Sequence, residues 1–248
     1  MLKLNLKTQI LDWDAGKHSY WREVVEAADW EVAKTAMLLC DVWDKHWCRG
    51  ATERVDEMVP RMDEVVKVAR GAGVQIVHAP SGTMEFYAET AGRKRVLEAP
   101  QIEPPDELER EDPPQPVDSS DGGSDTGEEE SFKAWHRQHP GIEIDQESDL
   151  ISDDGREVYN CLAQRGIDNL LILGVHTNMC VLNRSFAIKQ MVRWGKQVAL
   201  IGDLTDAMYN PVRAPYVGHA EGTRLIIEYI EKFWCPTVNS EQILQSCR

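Results

Sequence analysis

No window of the 248-residue chain holds the roughly 18 consecutive apolar residues of a membrane span. The first residues, Met-Leu-Lys-Leu-Asn-Leu-Lys, lack the long apolar core of a signal peptide. Cysteine pairs of the C-x-x-C kind are missing too. The six cysteines stand singly at 40, 48, 161, 180, 235 and 247, and a chain of this length needs no disulfide staples. The expectation is a cytoplasmic protein with reduced thiols and no membrane partner. There is also no basic surplus. The formal charge is −15, but residues 98–130 hold thirteen acids against one base, Arg110, which leaves the remainder near neutral at −3. A body without a basic stripe excludes nucleic acid as the expected partner.

One long stretch organises what is present. Leu170 to Leu173 is an apolar run that ends in Gly174-Val175. A polar turn follows, and Cys180 opens a segment with helical spacing. A buried strand feeding a tight turn and a helix is how α/β enzymes present a nucleophile. A thiol at a helix N-terminus is expected to gain thiolate character from the helix dipole. The alternative is a buried cysteine acting as a small hydrophobe. A second apolar run, Ala36 to Trp43, fits a central parallel strand. It carries Asp41 at its C-terminal end, where open α/β sheets place ligands. A carboxylate there is costly unless it has work to do, such as holding a proton for a thiol. The alternative is an Asp that caps a neighbouring turn.

The segment Gly174-Val175-His176-Thr177-Asn178-Met179-Cys180-Val181 resembles the nucleophile motif of the isochorismatase-like cysteine hydrolases, the group that includes nicotinamidases. The resemblance runs from about Ala36 to about Asn210. It is nearest to a subgroup with Cys-Asp-x-Trp-Asp-x-His-Trp-Cys, here Cys40 to Cys48. It implies Cys180 as nucleophile and Asp41 as acceptor of its proton. It also implies the backbone N–H groups of His176 and Cys180 as an oxyanion hole, with a cis peptide before His176. It implies a small-molecule substrate and a homo-oligomer. The family's third catalytic residue, a lysine after the third strand, has no counterpart. Asp145 or Glu147 falls at its place, and an acid there is expected to raise the thiol pKa. Lys133, Arg184 or a protonated His176 are candidate substitutes for the missing charge. The alternative is a non-catalytic member that binds a small molecule or a protein.

Trp43, Asp44, His46, His78 and Thr177 are candidate pocket residues. Asp44 and His46 are metal-ligand types, but two ligands define no site. The segment His78 to Met84 lacks the nicotinamidase metal cluster, so neither metal nor cofactor is expected. Asp203, Asp206 and Asn210 beyond the fifth strand read as turn and cap residues.

Helices with three- and four-residue apolar steps are expected at Ala51–Gly71, 84–97, Gly155–Arg165, Val181–Trp194 and 220–234. Strands are expected at 74–78, Ile142–Asp145, 196–201 and, as an edge, in the final Cys-Pro-Thr-Val. Alternating strands and helices imply a three-layer α/β/α, doubly wound parallel sheet of about six strands. Residues 1–35 read as an N-terminal extension whose tryptophans pack, with a short helix at Tyr20–Ala28. The domain itself would be 36–248. Within it Pro100 to Glu130, with six prolines, is a long insert, either draped over the body or mobile.

Overall fold

Six residues with no exposed member, Thr35–Cys40, form strand β3 at the centre of the sheet. Its neighbours are β4 (Gln75–Ala79) and β6 (Asn169–Val175), both parallel to it. The computed structural model describes residues 1–247. Strands β1 (Leu2–Trp13), β2 (Ser19–Trp30), β5 (Leu150–Ile151), β7 (Gln197–Asp206) and β8 (Thr237–Val238) complete one sheet of order β2-β1-β8-β7-β6-β3-β4-β5. Strands buried on both faces read as continuous apolar runs. Two core clusters result, one under α4 (Gly155–Gln164), α6 (Ile188–Arg193) and α7 (His219–Phe233), the other under α1 (Arg49–Gly71) and α8 (Ser240–Cys247). The short helices α2 (Met84–Tyr87) and α3 (Ala91–Leu97) lie between β4 and β5. Among the described residues no helix is long and apolar enough to cross a membrane.

The expected layered α/β architecture is present, with eight strands where about six were expected. The difference lies mainly in the first thirty residues. The helix expected at Tyr20–Ala28 is strand β2, paired antiparallel with β1 over twelve positions. Leu2, Leu4 and Leu6 alternate with Lys3, Asn5 and Lys7, which is a period of two. Asp14 closes the turn by accepting the His18 N–H. Of the three tryptophans Trp30 is buried, while Trp13 is 59% and Trp21 40% exposed. Because β1 takes the outer place, β8 lies inside the sheet between β1 and β7 rather than at its edge.

The strand expected at Ile142–Asp145 does not form. The Glu143 N–H is taken by Asp63 and its carbonyl by Arg70, so side chains satisfy the backbone and no ladder is needed. The edge strand falls later, at β5. The single helix expected over Val181–Trp194 is two, α5 (Cys180–Asn183) and α6. Arg184 between them is extended, at ψ 149°. The start of α4 lies against this break: a Cβ on Gly155 would lie 2.0 Å from the Ser185 carbonyl oxygen.

The acidic insert has no regular secondary structure between residues 98 and 130, and it is draped over the body. Leu108 N–H bonds to Arg193 O and Asp118 N–H to Ala214 O. Asp112 accepts from Tyr229, and Asp125 pairs with Arg54.

Candidate functional site

Parallel pairing places Cys40 beside Gly174, so the C-terminal ends of β3 and β6 open side by side. Gly174 has φ +118°, and a Cβ there would lie 2.0 Å from Cys40 O. Only glycine permits this approach. The chain then turns through a cis Val175–His176 peptide and enters α5 at Cys180. Opposite, Asp41 adopts φ +50° at the end of β3. The two strand ends thereby bring the Asp41 carboxylate near enough to the Cys180 thiol for each to shift the other's protonation.

Asp41 is fully buried. Its Oδ1 accepts the Ser81 N–H at 2.7 Å and its Oδ2 accepts Arg184 Nε at 3.0 Å. Burial holds the carboxyl above its ordinary pKa, and Arg184, then Cys180 and Ser81, pull it only part of the way back. The Cys180 thiol is pushed up to about 12 by burial and by the Asp41 carboxylate, against Arg184. This reverses the expectation of a thiolate favoured by a helix dipole. Helix α5 is a single turn of four residues, and burial first, then the neighbouring carboxylate, act against it.

A cavity of about 10 Å³ adjoins these groups, lined by Asp41, Trp43, His46, Val175 and His176 with Lys45, Thr52 and Val55. That is room for about one water. An aromatic stack closes it. Trp43 lies on Trp135 with ring centroids 4.1 Å apart, and both indole N–H groups donate to Ser81 O. His46 stacks on Trp135 and meets His176 edge-on at 4.7 Å. Burial keeps both imidazoles neutral, at about 4 for His46 and, with His46 adding, about 3 for His176. The buried His176 Nε2 has no hydrogen-bond partner among the described residues.

Asp41, Trp43, His46, His176 and Cys180 therefore meet at one place, and the other sequence candidates do not. His78 is fully buried away from the cavity, its ring nitrogens meeting Gln138 Oε1 at 2.8 Å and Asp149 Oδ2 at 2.9 Å. Thr177 shares a hydrogen bond with Thr205 inside the sheet. Asp44 accepts the N–H groups of His136 and Arg137. Asp145 and Glu147 belong to a surface turn: Asp145 accepts from Glu147 N–H and Ser148, and its own N–H goes to Asp149. They touch neither Asp41 nor Cys180, because the strand that would have carried them inward is absent. Of the candidate cations, Lys133 bonds to Gly82 O and His176 stays neutral, while among the described residues Arg184 is the one on Asp41.

Asp203 receives Ser240 at the start of α8, and Asn210 donates to Asp121. Asp206 instead joins Arg54, His219 and Asp125 in a buried charged cluster. Among the described residues no three His, Cys, Asp or Glu side chains are grouped to hold a metal ion. Sequence reasoning missed Ser81 and Trp135. Trp135 stands at the far end of the insert, with no local signal beyond its being aromatic.

Comparison with known proteins bears on the family and the fold. A family model described as the isochorismatase domain matches residues 35–212. No curated protein matches the chain. Among solved structures, a cysteine hydrolase from Pseudomonas syringae pv. phaseolicola is similar at TM-score 0.57 and 15% identity, covering 88% of this chain and 94% of its own. An isochorismatase from Pseudomonas putida is similar at TM-score 0.53 and 13% identity, covering 86% and 92%. At these identities the likeness speaks for the fold.

Proposed function

This chain belongs to the isochorismatase family, and from that premise we propose that it is a cysteine hydrolase cleaving a small amide or related carbon–nitrogen bond. The observation that carries the reading is the buried Asp41 carboxylate, held by Ser81 and Arg184 and near the Cys180 thiol. As the sulfur of Cys180 attacks the carbonyl carbon, Asp41 takes the thiol proton. A base whose pKa burial has raised accepts that proton more readily. The backbone N–H groups of His176 and Cys180 stabilise the oxyanion of the tetrahedral adduct. The carbon–nitrogen bond breaks as Asp41 returns the proton to the leaving nitrogen. Water, deprotonated by Asp41, then releases the acid and restores the thiol. Arg184 takes the part of the family's lysine, keeping Asp41 ionised between turnovers.

The test is a screen of small amides for ammonia or amine release, with intact-mass detection of an acyl-enzyme. Wild type should show an adduct on Cys180, and Cys180→Ala should show neither adduct nor turnover. Full turnover by Cys180→Ala sinks the mechanism.

A second reading is a non-catalytic member that binds a small molecule, and two observations favour it. The thiol is raised to about 12, and the cavity holds about one water. Under this reading a ligand that hydrogen-bonds His176 Nε2 binds wild type and Cys180→Ala equally, and no acyl-enzyme forms with any amide.

A further inference from the structure

Strand β2 is an unpaired edge of the sheet among the described residues. It is twelve residues long, with sequence SYWREVVEAADW. It contains no lysine, proline or glycine, so several devices that blunt edges are absent. Tyr20, Trp21 and Val25 are 44%, 40% and 54% exposed along it. We propose that this edge pairs antiparallel with β2 of a second copy, about a two-fold axis at Val24, joining two eight-stranded sheets into one.

The choice of occupant and register follows from the pleat and the charges. Alternate residues of an edge strand turn their N–H and C=O groups outward. Two copies of one strand pair outward residue to outward residue, so the axis passes through a residue rather than between two. An axis at Arg22, Glu23 or Glu26 sets a charge against its own copy, which is destabilising. An axis at Val25 pairs no charges. An axis at Val24 sets Arg22 against Glu26 of the second copy, and the symmetry repeats that pair. It also places Tyr20 and Trp21 opposite the small Ala28 and Ala27 of the second copy. Arg22 is already anchored, its Nε bonded to Asp12 at 2.6 Å. A guanidinium has five donors, enough to serve Asp12 and Glu26 together. Such a contact is isologous and closes as a dimer.

Sedimentation equilibrium of the full-length chain measures the mass, and charge swaps test the register. Wild type should be a dimer. Glu26→Arg sets arginine against arginine twice and Arg22→Glu sets glutamate against glutamate twice. Each single variant should weaken the dimer about tenfold or more. Mixing the two single variants pairs every charge with its opposite and should restore a heterodimer. Val24→Cys in an otherwise unchanged chain should cross-link to its own copy on mild oxidation, while Val25→Cys should not. That readout stands even if a charge variant fails to fold. A monomeric wild type, a dimer indifferent to both swaps, or cross-linking at 25 in place of 24 would overturn the proposal.

Discussion

Replacing Asp41 by asparagine separates the two tasks assigned to this carboxylate, because they respond with opposite sign. After burial, Asp41 contributes most to pushing the Cys180 thiol up to about 12. Two unit charges about 4 Å apart at an effective dielectric of about 20 interact by about 4 kcal/mol, or about three pKa units. Asparagine removes that repulsion and leaves Arg184 beside the sulfur. The thiolate fraction then rises about a thousandfold near pH 8, while each unit of lowered pKa returns about half of the logarithmic gain through weaker nucleophilicity. The expected result is alkylation of Cys180 by iodoacetamide about thirtyfold faster at about pH 8, read by peptide mass spectrometry. Amide turnover moves the other way, falling about 10²- to 10⁴-fold as the general base is lost. Asp41→Asn that slows alkylation would refute the electrostatic account. Turnover within tenfold of wild type would refute the role as base.

Three further changes follow from the same geometry. Arg184→Ala removes the charge that opposes both shifts, so the acid limb of turnover should move up. Because Arg184 is 39% exposed, the lost hydrogen bond is taken at about 1.5 kcal/mol, near one pKa unit, and an acid limb that stays in place would count against it. Gly174→Ala drives a Cβ to 2.0 Å from Cys40 O at φ +118°. It should cost more than about 4 kcal/mol in chemical denaturation, and near-wild-type stability would contradict the pairing of β3 and β6. For His219, burial disfavours the charge, but hydrogen bonds to Asp206 and Tyr209 O hold its pKa above the ordinary value. A raised folded pKa gives stability that is fully present below about pH 6.5 and lost as pH rises through the folded value. His219→Gln should therefore lower Tm most in mild acid and flatten the decline above neutrality, and an unchanged slope would show the cluster contributes nothing.

What was legible in the sequence lies where one signal suffices. The apolar runs of β3 and β6 announce central strands, and their parallel pairing then brings Asp41 and the Cys180 segment to one sheet end. Less legible were features set by competition between signals. Tyr20–Ala28 can be read with helical spacing, but Leu2, Leu4 and Leu6 of the partner strand decide the matter across the turn. Ile142–Asp145 has the alternation of a strand, yet Arg70 and Asp63 satisfy its backbone first. The insert's composition predicts a chain unable to order itself, and it is ordered by the body, through Asp112 and Asp125. Trp135 and Ser81 reach the site only through tertiary contact, 92 and 38 residues from their common partner Trp43, and no local pattern carries that information.

The cation shows how a site keeps its charge balance while its residues change place. An acid at the expected lysine position looked like a direct assault on the thiolate. Asp145 and Glu147 do not approach the sulfur, so that repulsion never arises. Under the proposed mechanism the positive charge is that of Arg184, at the break between α5 and α6, where the backbone is extended and the side chain bonds to Asp41. The identity of that cation matters. A guanidinium presents a planar fork of donors to a carboxylate, whereas a lysine presents a single ammonium. Arg184 on one Asp41 oxygen and the Ser81 N–H on the other fix the orientation of the carboxyl group. Arg184→Lys tests this directly: it keeps a positive charge but not the planar fork, so it should retain part of the turnover that Arg184→Ala loses, and equal losses in the two variants would mean that geometry rather than charge is what Arg184 supplies.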